Sequence, residues 1–226
     1  MNEETLVLAS TSPRRREMLA WLLADFKITA ADIDETPYSG EAAGDYVMRM
    51  ARMKAEKAAA AYPESGWVLA SDTIVVQEGK ILGKPKDSAE AESMLVNLRG
   101  NTHKVWTALT IRHTRQNRCL EECAVTAVPM RNYSDEEIER YIASGDPFDK
   151  AGAYAIQNAA FHPVENFNEC YACVMGLPLC HVVRQLVKIG YTVPASIAPI
   201  CLKRLSYPCT ISNSVLSFTD SITCCH

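Results

Sequence analysis

Short apolar runs alternate with longer segments of helical periodicity along this chain, a pattern typical of an α/β architecture. Residues 6–9 form the first apolar run and predict a buried strand. Ser12 and Pro13 follow as a helix cap and a first helical residue, so a helix is expected to begin there. A second strand is predicted over 26–31, and an apolar stripe predicts a helix over 43–61.

The middle of the chain is rich in predicted strands. Residues 67–70 predict a buried strand, and 73–77 with 80–82 predict a hairpin through a Glu-Gly turn. Two longer strands are predicted near 103–113 and 119–129. Alternating side chains along the first of these two predict one solvated face.

Two helices are marked by the spacing of their capping residues. Asp87 and Glu90 predict the start of one helix, and Ser134 and Glu137 predict the start of another. A glycine closes each helical pattern. A short strand is predicted over 153–156.

The last clear helix begins at Pro178 and is closed by Gly190. Residues 191–226 mix Ser, Thr, Pro and Cys without a sustained period, so they are expected to form a peripheral segment. The pattern therefore predicts one domain over 1–190 and a C-terminal extension over 191–226 with no assigned role.

Charge and hydropathy narrow the expected partners and location. The 226 residues carry a formal net charge of −4, which gives no general attraction to a nucleic acid polymer or an acidic membrane. An anionic ligand must then be bound by a local group of cations. No stretch approaches the roughly 20 apolar residues that cross a bilayer, and residues 1–5 are polar rather than signal-like, so a cytoplasmic location is expected.

The nine cysteines are expected to be mostly free thiols, because cellular reductants oppose disulfides. Cys170 and Cys173 form a single CxxC, and Cys224, Cys225 and His226 end the sequence. A structural zinc site normally needs two such pairs at suitable spacing. Ordinary thiols are the favoured interpretation of these residues.

Polar residues suited to a phosphorylated ligand follow the first strand. Ser10 lies in the turn, and Arg14, Arg15 and Arg16 lie in the first turn of the predicted helix. Unpaired backbone N–H groups and the helix dipole favour an anion at that position. The alternative interpretation is a solvated basic face.

Acidic residues follow two other predicted strands. Glu35 lies just past the second strand, where a plain acidic loop is the alternative. Asp72 follows the run 67–70, and α/β proteins often place active groups at such strand ends, where a carboxylate can bind a divalent cation or accept a proton. Lys54 lies on an apolar helical stripe, so it must extend to solvent or meet an acidic partner or ligand.

Further polar groups lie later in the chain. Lys84 follows the predicted hairpin, and Asp146, Asp149, Lys150 and Gln157 lie between apolar segments. Together they supply acids for a metal, cations for phosphates and an amide able to bind a base edge. The absence of GxxxxGK[ST], GxGxxG, HExxH and GxSxG motifs disfavours P-loop, dinucleotide-binding, zinc-protease and serine-hydrolase functions.

Nine short motifs occur in a fixed order between about Leu6 and Lys188. They are LASTSPRR at 8–15, ETP at 35–37, KA at 54–55, SDT at 71–73, GKP at 83–85, SGDP at 144–147, DKAG at 149–152, IQ at 156–157 and GLP at 176–178. In these motifs the chain resembles the Maf family, which shares its fold with the inosine-triphosphate pyrophosphatases. That resemblance implies a mixed twisted sheet flanked by helices, with two lobes around a central cleft.

The resemblance also implies an activity, which is hydrolysis of a nucleoside triphosphate to the monophosphate and pyrophosphate with a divalent cation, Mg²⁺ or Mn²⁺. By the same resemblance Asp72 is the proton acceptor, and Glu35 with Asp72 contacts the metal. The other residues that the family pattern places in the site are catalytic or hold phosphates, namely Ser10, Arg15, Lys54, Lys84 and Lys150.

Arg14, Thr73 and Gln157 match the branch of the family that acts on dTTP and UTP, and an amide and a hydroxyl suit a pyrimidine edge. The branch that acts on 7-methyl-GTP carries Trp and acidic residues there, and this base remains an alternative.

Asn158 stands where the family usually has glycine. A nucleotide-binding regulator without catalysis is a further alternative, given the family's historical link to septum formation. Family members are often dimers, so a homodimer is one expected assembly.

Overall fold

A computed structural model describes residues 4–217, which form a mixed sheet flanked by helices. The strands in this part of the chain are β1 (Leu6–Ala9), β2 (Lys27–Thr29), β3 (Trp67–Gln77), β4 (Lys80–Leu82), β5 (Thr102–His113) and β6 (Cys119–Pro129). Their order is β2-β1-β3-β5-β6, and β4 pairs with β3. β1 is parallel to β2 and β3, whereas β3, β5 and β6 pair antiparallel. The predicted α/β class is confirmed.

The helices cover both faces of this sheet. They are α1 (Pro13–Ala20), α2 (Ala43–Ala61), α3 (Ser88–Leu98), α4 (Asp135–Ala143), α5 (Tyr171–Val174), α6 (Leu179–Lys188), α7 (Ala198–Leu205) and α8 (Ser212–Ser217). Both predicted caps are confirmed. Asp87 accepts a hydrogen bond from the Glu90 backbone N–H, and Ser134 and Glu137 form a reciprocal capping box.

The core divides into two lobes. In the first lobe α2 packs alanines on one face of the sheet, while α1 and α6 pack larger apolar residues on the other. In the second lobe α3, α4 and residues 146–167 pack around the far ends of β3, β5 and β6 at Val75, Val105 and Val128. This arrangement agrees with the predicted two-lobed sheet protein.

The solvated face predicted for β5 is found only at the start of the strand, where Thr102 and Lys104 are exposed. Ala108 and Thr110 lie on that face, and both are fully buried. Val47 and Met50 of α2 pack against Ala108, so a helix covers the face that the alternating pattern assigned to water. An alternation of small and large side chains, both of them buried, produced the same pattern as a half-exposed strand.

β3 is a single long strand, whereas the apolar pattern had indicated a break after residue 70. Asp72 therefore lies inside a strand, and the expected position at a strand end is wrong in that literal sense. Its parallel neighbour β1 ends at Ala9, which pairs with Ala70. Asp72 lies two residues beyond Ala70 on β3, so it is located past the end of β1, at the edge of the sheet where the loop after β1 begins.

The strand predicted over 153–156 is also wrong. Residues Ala151–Ala153 form a 3₁₀ turn, in which Gly152 has φ of 70° and Ala153 has φ of 60°. Positive φ angles do not fit an extended strand. The backbone N–H of Gly152 donates to the carbonyl of Gly83, which ties this turn to the loop that carries Lys84.

The segment after Gly190 packs on the first lobe as far as residue 217. Ile197 and Cys201 are buried there, and Arg184 donates to the Val215 carbonyl at 2.8 Å. The division into a domain and an extension stays a prediction. Cys224, Cys225 and His226 lie outside the described residues. Among the described helices, none has both the length and the apolar character needed to cross a membrane.

Candidate active site

A cleft of about 920 Å³ lies between the lobes and is lined by residues of both. Its lining includes each residue that the sequence nominated for the site, namely Ser10, Arg14, Arg15, Glu35, Lys54, Asp72, Thr73, Lys84, Lys150 and Gln157. β1 and β2 end at the same edge of the sheet, so the loops after them bring Ser10 and Glu35 to one place. The exposed Arg16 is not part of this lining.

Lys54 joins the two acidic residues of the cleft. Its Nζ lies 2.6 Å from Glu35 Oε1 and 2.6 Å from Asp72 Oδ1. The lysine on the apolar stripe of α2 therefore meets acidic partners instead of extending to solvent. Because both carboxylates bond the same ammonium, they lie within two hydrogen-bond lengths of each other.

Tyr46 is a site residue that the sequence did not reveal. Its hydroxyl donates to the backbone carbonyl of Glu35 at 2.8 Å, which fixes the loop that carries this acid. Burial, together with the charges of Asp72 and Glu35, raises the pKa of Tyr46 to about 12, so the hydroxyl stays a neutral donor. In the sequence it belongs to the apolar stripe of α2 and resembles an ordinary core residue.

Arg15 is held by neutral groups. Its Nε donates to the Gly176 carbonyl and its Nη2 to Thr73 Oγ1, both at 2.9 Å. Burial lowers the pKa of the half-buried Arg15, an effect that Asp72 and Glu35 oppose, but a guanidinium remains charged.

Gly176 is the second residue that gains a role from the structure. Its φ is +98°, and a Cβ there would lie 3.1 Å from Thr73 Oγ1 and 3.3 Å from Arg15 Nε. Any larger residue would therefore push against the arginine and the hydroxyl that holds it. The GLP motif of the sequence was the available signal for this position.

The start of α1 is organised by two serines. Ser12 caps the helix by accepting from the Arg15 backbone N–H, and the Ser12 N–H donates to Ser10 Oγ at 3.2 Å. Ser10 is buried at this turn, and Arg14 faces the cleft beside it. The Ser10 hydroxyl and the Arg14 guanidinium therefore both lie at the cleft side of this helix start, where the helix dipole favours an anion.

Lys150 is held by acids. It is 8% exposed, and its Nζ lies 2.9 Å from Asp146 Oδ1 and 2.5 Å from Asp149 Oδ1. The other oxygen of Asp146 accepts from Tyr141 Oη at 2.7 Å and from Asn158 Nδ2 at 3.1 Å. Burial alone would raise the pKa of Asp146, but the hydrogen bonds from these three side chains outweigh it and hold that pKa below its ordinary value.

Two residues of the cleft are open to a ligand. Lys84 is exposed and forms no ion pair within residues 4–217, and the exposed Gln157 makes no hydrogen bond there. Lys84 therefore offers a full positive charge, and Gln157 offers both a donor and an acceptor.

The carboxylates of Glu35 and Asp72 fit a hard divalent cation. They converge on one point, where the ammonium of Lys54 already shows that positive charge is favoured. Residues 4–217 contain no cluster of three or more His, Cys, Asp or Glu side chains able to hold a metal. Two carboxylates nevertheless suit Mg²⁺, which commonly takes the rest of its ligands from phosphate and water.

The fold and this cleft define an α/β protein built to bind a polyanion beside paired carboxylates. The chain belongs to the family described as Maf-like protein, whose family model matches residues 5–189. Of the three consecutive arginines at the start of α1, Arg14 and Arg15 line the cleft and Arg16 does not.

Several curated relatives share most of the chain. A dTTP/UTP pyrophosphatase of Geobacter sulfurreducens is 46% identical over 190 residues, which are 84% of this chain and 99% of that protein. A dTTP/UTP pyrophosphatase of Myxococcus xanthus is 47% identical over 197 residues, which are 85% and 96% of the two chains. The solved Staphylococcus aureus Ham1 protein matches 66% of this chain and 85% of its own with a TM-score of 0.41 and 17% identity, too low a similarity to add to the assignment.

Proposed function

We propose that this chain is a nucleoside triphosphate pyrophosphatase that hydrolyses dTTP and UTP to the monophosphate and pyrophosphate. The observation that carries the proposal is the Glu35–Lys54–Asp72 cluster, which lies in one cleft with further cations from both lobes. Such a cleft suits a metal-bound triphosphate, and the names of the relatives supply the expected bases.

In this mechanism the triphosphate lies in the cleft with its charge facing cations. Arg15 and Lys150 hold phosphate oxygens, and Lys84 adds a cation that forms no ion pair within residues 4–217. The Ser10 hydroxyl and the backbone N–H of Arg14, at the start of α1, bind a further phosphate oxygen. These contacts fix the α-phosphorus in position before reaction.

Asp72 accepts the proton of the attacking water. The water oxygen bonds to the α-phosphorus, the bond from that phosphorus to the α–β bridging oxygen breaks, and pyrophosphate leaves with the bonding electrons. One oxygen of Asp72 bonds Lys54, whereas the other makes no hydrogen bond within residues 4–217. That second oxygen is the one we assign to the water.

Glu35 and Asp72 would hold the divalent cation, Mg²⁺ or Mn²⁺. When bound, such a cation neutralises charge on the triphosphate. Lys54 keeps the two carboxylates close together, and Tyr46 fixes the loop of Glu35. Arg14, Thr73 and Gln157 are assigned to the choice of base, with the amide of Gln157 matching the donors and acceptors of a pyrimidine.

A panel of nucleotides tests the proposal. Purified protein with Mg²⁺ should release pyrophosphate from dTTP and UTP faster than from dCTP, dGTP, dATP or 7-methyl-GTP. Asp72→Asn should lower kcat for dTTP about 10²–10⁴-fold, the usual contribution of a positioned proton acceptor. Asp32→Asn is the matched control, because Asp32 is an exposed carboxylate of the same cleft whose side chain forms no ion pair within residues 4–217, and it should leave kcat within a factor of three.

Three outcomes would contradict the proposal. Release of orthophosphate alone would show that a different bond is cut. Tight dTTP binding without turnover, measured by calorimetry, would favour a nucleotide-binding regulator. Fastest turnover of 7-methyl-GTP would keep the enzyme class but replace the base. The cytoplasmic location, the lack of a nucleic acid polymer partner and a homodimeric assembly stay predictions that this panel does not address.

A further inference from the structure

Thr107 lies directly behind the cleft without lining it. It is fully buried on β5, and the antiparallel register pairs it with Thr73 on β3. The two hydroxyl oxygens are 3.0 Å apart, and Thr107 Oγ1 also lies 2.8 Å from the carbonyl of Cys173. Thr107 therefore connects a cleft residue to the backbone just before Gly176.

The direction of each hydrogen bond in this chain is fixed. A hydroxyl has one proton to donate, and a carbonyl can only accept, so Thr107 donates its proton to Cys173. Thr107 must then accept from Thr73, which uses the single hydroxyl proton of Thr73. Arg15 Nη2 donates to the same Thr73 oxygen at 2.9 Å, which completes a one-way chain from the guanidinium to the Cys173 carbonyl.

We propose that Thr107 is a positioning residue that orients Arg15 for the triphosphate. By accepting the Thr73 proton, it turns an oxygen lone pair of Thr73 toward the guanidinium. A guanidinium has five N–H groups. The Gly176 carbonyl and Thr73 engage two of them, so the remaining N–H groups are left for phosphate oxygens.

The same chain assigns Thr73 a role different from direct donation to a base. Its proton is engaged by Thr107, so Thr73 cannot also donate it to a pyrimidine carbonyl without breaking the chain. Thr73 then affects nucleotide binding through Arg15, and its contribution to the choice of base is indirect. This inference rests on the proposed function only in its choice of a nucleoside triphosphate as the ligand.

The test measures binding of a UTP analogue with an imido group between the α and β phosphates, which cannot be cut by hydrolysis at that position. Thr107→Val keeps the side-chain shape and removes the hydroxyl, so the Kd should rise about tenfold, as expected for a lost hydrogen bond to a charged network. Thr107→Ser keeps the hydroxyl and should bind within about twofold of wild type. In turnover of dTTP, Thr107→Val should raise KM and change kcat by less than threefold.

Repeating the measurement in a protein that lacks Arg15 distinguishes a positioning role of Thr107 from a merely structural one. In Arg15→Met protein, Thr107→Val should cause no further rise in Kd, because the group that it positions is gone. An equal loss of affinity in both backgrounds, or a Kd for Thr107→Val that matches wild type, would overturn the proposal. Thr73→Val breaks the same chain one step closer to Arg15, so it must show the same dependence on background even if Thr107→Val fails to fold.

The experiment also distinguishes failure of this inference from failure of the proposed function. If wild type releases no pyrophosphate but the analogue shows the expected pattern of Kd values, the positioning role stands and the enzyme proposal fails. If wild type hydrolyses dTTP and Thr107→Val is unchanged in both Kd and KM, the enzyme proposal stands and the positioning role fails.

Discussion

Arg15 and Lys150 face the same cleft from different lobes, but their partners differ in charge. Arg15 is bonded to a carbonyl and a hydroxyl, both neutral. Lys150 is bonded to the carboxylates of Asp146 and Asp149. One cation is thus oriented without being neutralised, whereas the other is neutralised by the groups that orient it.

This difference predicts separate roles in binding and in stability. Neutral acceptors leave the positive charge of Arg15 available to a phosphate, and its planar fork suits two oxygens at once. Lys150 must share its charge between the ligand and two acids, so a phosphate gains less from it. In return, Lys150 compensates a carboxylate that would otherwise lie partly buried without a counterion.

The largest expected effect comes from removing each cation in turn. Arg15→Met should raise KM for dTTP about 10–100-fold, the range for lost hydrogen bonds between charged groups, with little change in stability. Lys150→Met should raise KM less than tenfold but lower the free energy of unfolding by about 1–3 kcal/mol, because Asp146 loses its cation. Steady-state kinetics and urea unfolding of both variants measure the two quantities.

Arg16→Met is the control for these variants, since Arg16 is exposed on the same helix and does not line the cleft. It should change neither quantity beyond error. Equal rises in KM for Arg15→Met and Lys150→Met, with unchanged stability in both, would show that partner charge does not divide their roles.

A smaller effect, on the free energy of unfolding, is expected from replacing Asp146, one of the two acids that hold Lys150. The pKa of Asp146 in the folded protein lies below its ordinary value of 3.8, so ionised Asp146 stabilises the fold at pH values above 3.8. This contribution is lost as the pH falls through the lower folded pKa. Asp146→Asn should therefore lower the free energy of unfolding by about 1–2 kcal/mol at pH 7, and the difference from wild type should shrink below pH 3.8.

Urea unfolding at a series of pH values from 7 to 2.5 measures this difference. Asp149→Asn serves as the comparison, because its exposed carboxylate should contribute little at any pH. A difference between wild type and Asp146→Asn that is constant with pH would mean that the charge of Asp146 does not stabilise the fold.

Local sequence patterns predicted most of the helices and strands, but not the features that depend on contacts with distant residues. The two capped helices were predictable because the capping residues contact groups only three positions away. The true length of β3 was not, because Asp72 interrupts the apolar run yet is stabilised by Lys54, a partner 18 residues away. The 3₁₀ turn at Ala151–Ala153 depends on a bond from Gly152 to the distant Gly83, which no local pattern records.

In the site, the sequence identified residues that line the cleft but not residues that hold them in position. Every nominated residue that lines the cleft lies in one of the ordered motifs, so the family pattern was sufficient to nominate it. The sequence did not predict three residues that hold others in position through hydrogen bonds, namely Thr107, Tyr46 and Tyr141. In the sequence these three are indistinguishable from residues that only fill strands and helices.

The smallest expected effect concerns Asn158, which stands where the Maf resemblance predicts glycine. Its Nδ2 donates to Asp146 at 3.1 Å and its Oδ1 accepts from the Phe161 backbone N–H at 2.8 Å, so it ties the loop after Gln157 to the Lys150 cluster. Asn158→Gly removes both bonds and adds backbone freedom. Asp146 keeps its bonds to Tyr141 and Lys150, so KM for dTTP should rise only about two- to fivefold.

Asn158→Ala separates the two causes, because it removes both side-chain bonds without adding the backbone freedom of glycine. For each variant, kcat/KM is measured with dTTP and with 7-methyl-GTP. A loop that positions Gln157 should affect the ratio of the dTTP value to the 7-methyl-GTP value. If Asn158 acts on that loop, the ratio falls in both variants and falls further in Asn158→Gly. A ratio unchanged while KM rises equally for both nucleotides would instead place the effect on Lys150 and the phosphates. An unchanged KM would mean that Tyr141 and Lys150 suffice to hold Asp146.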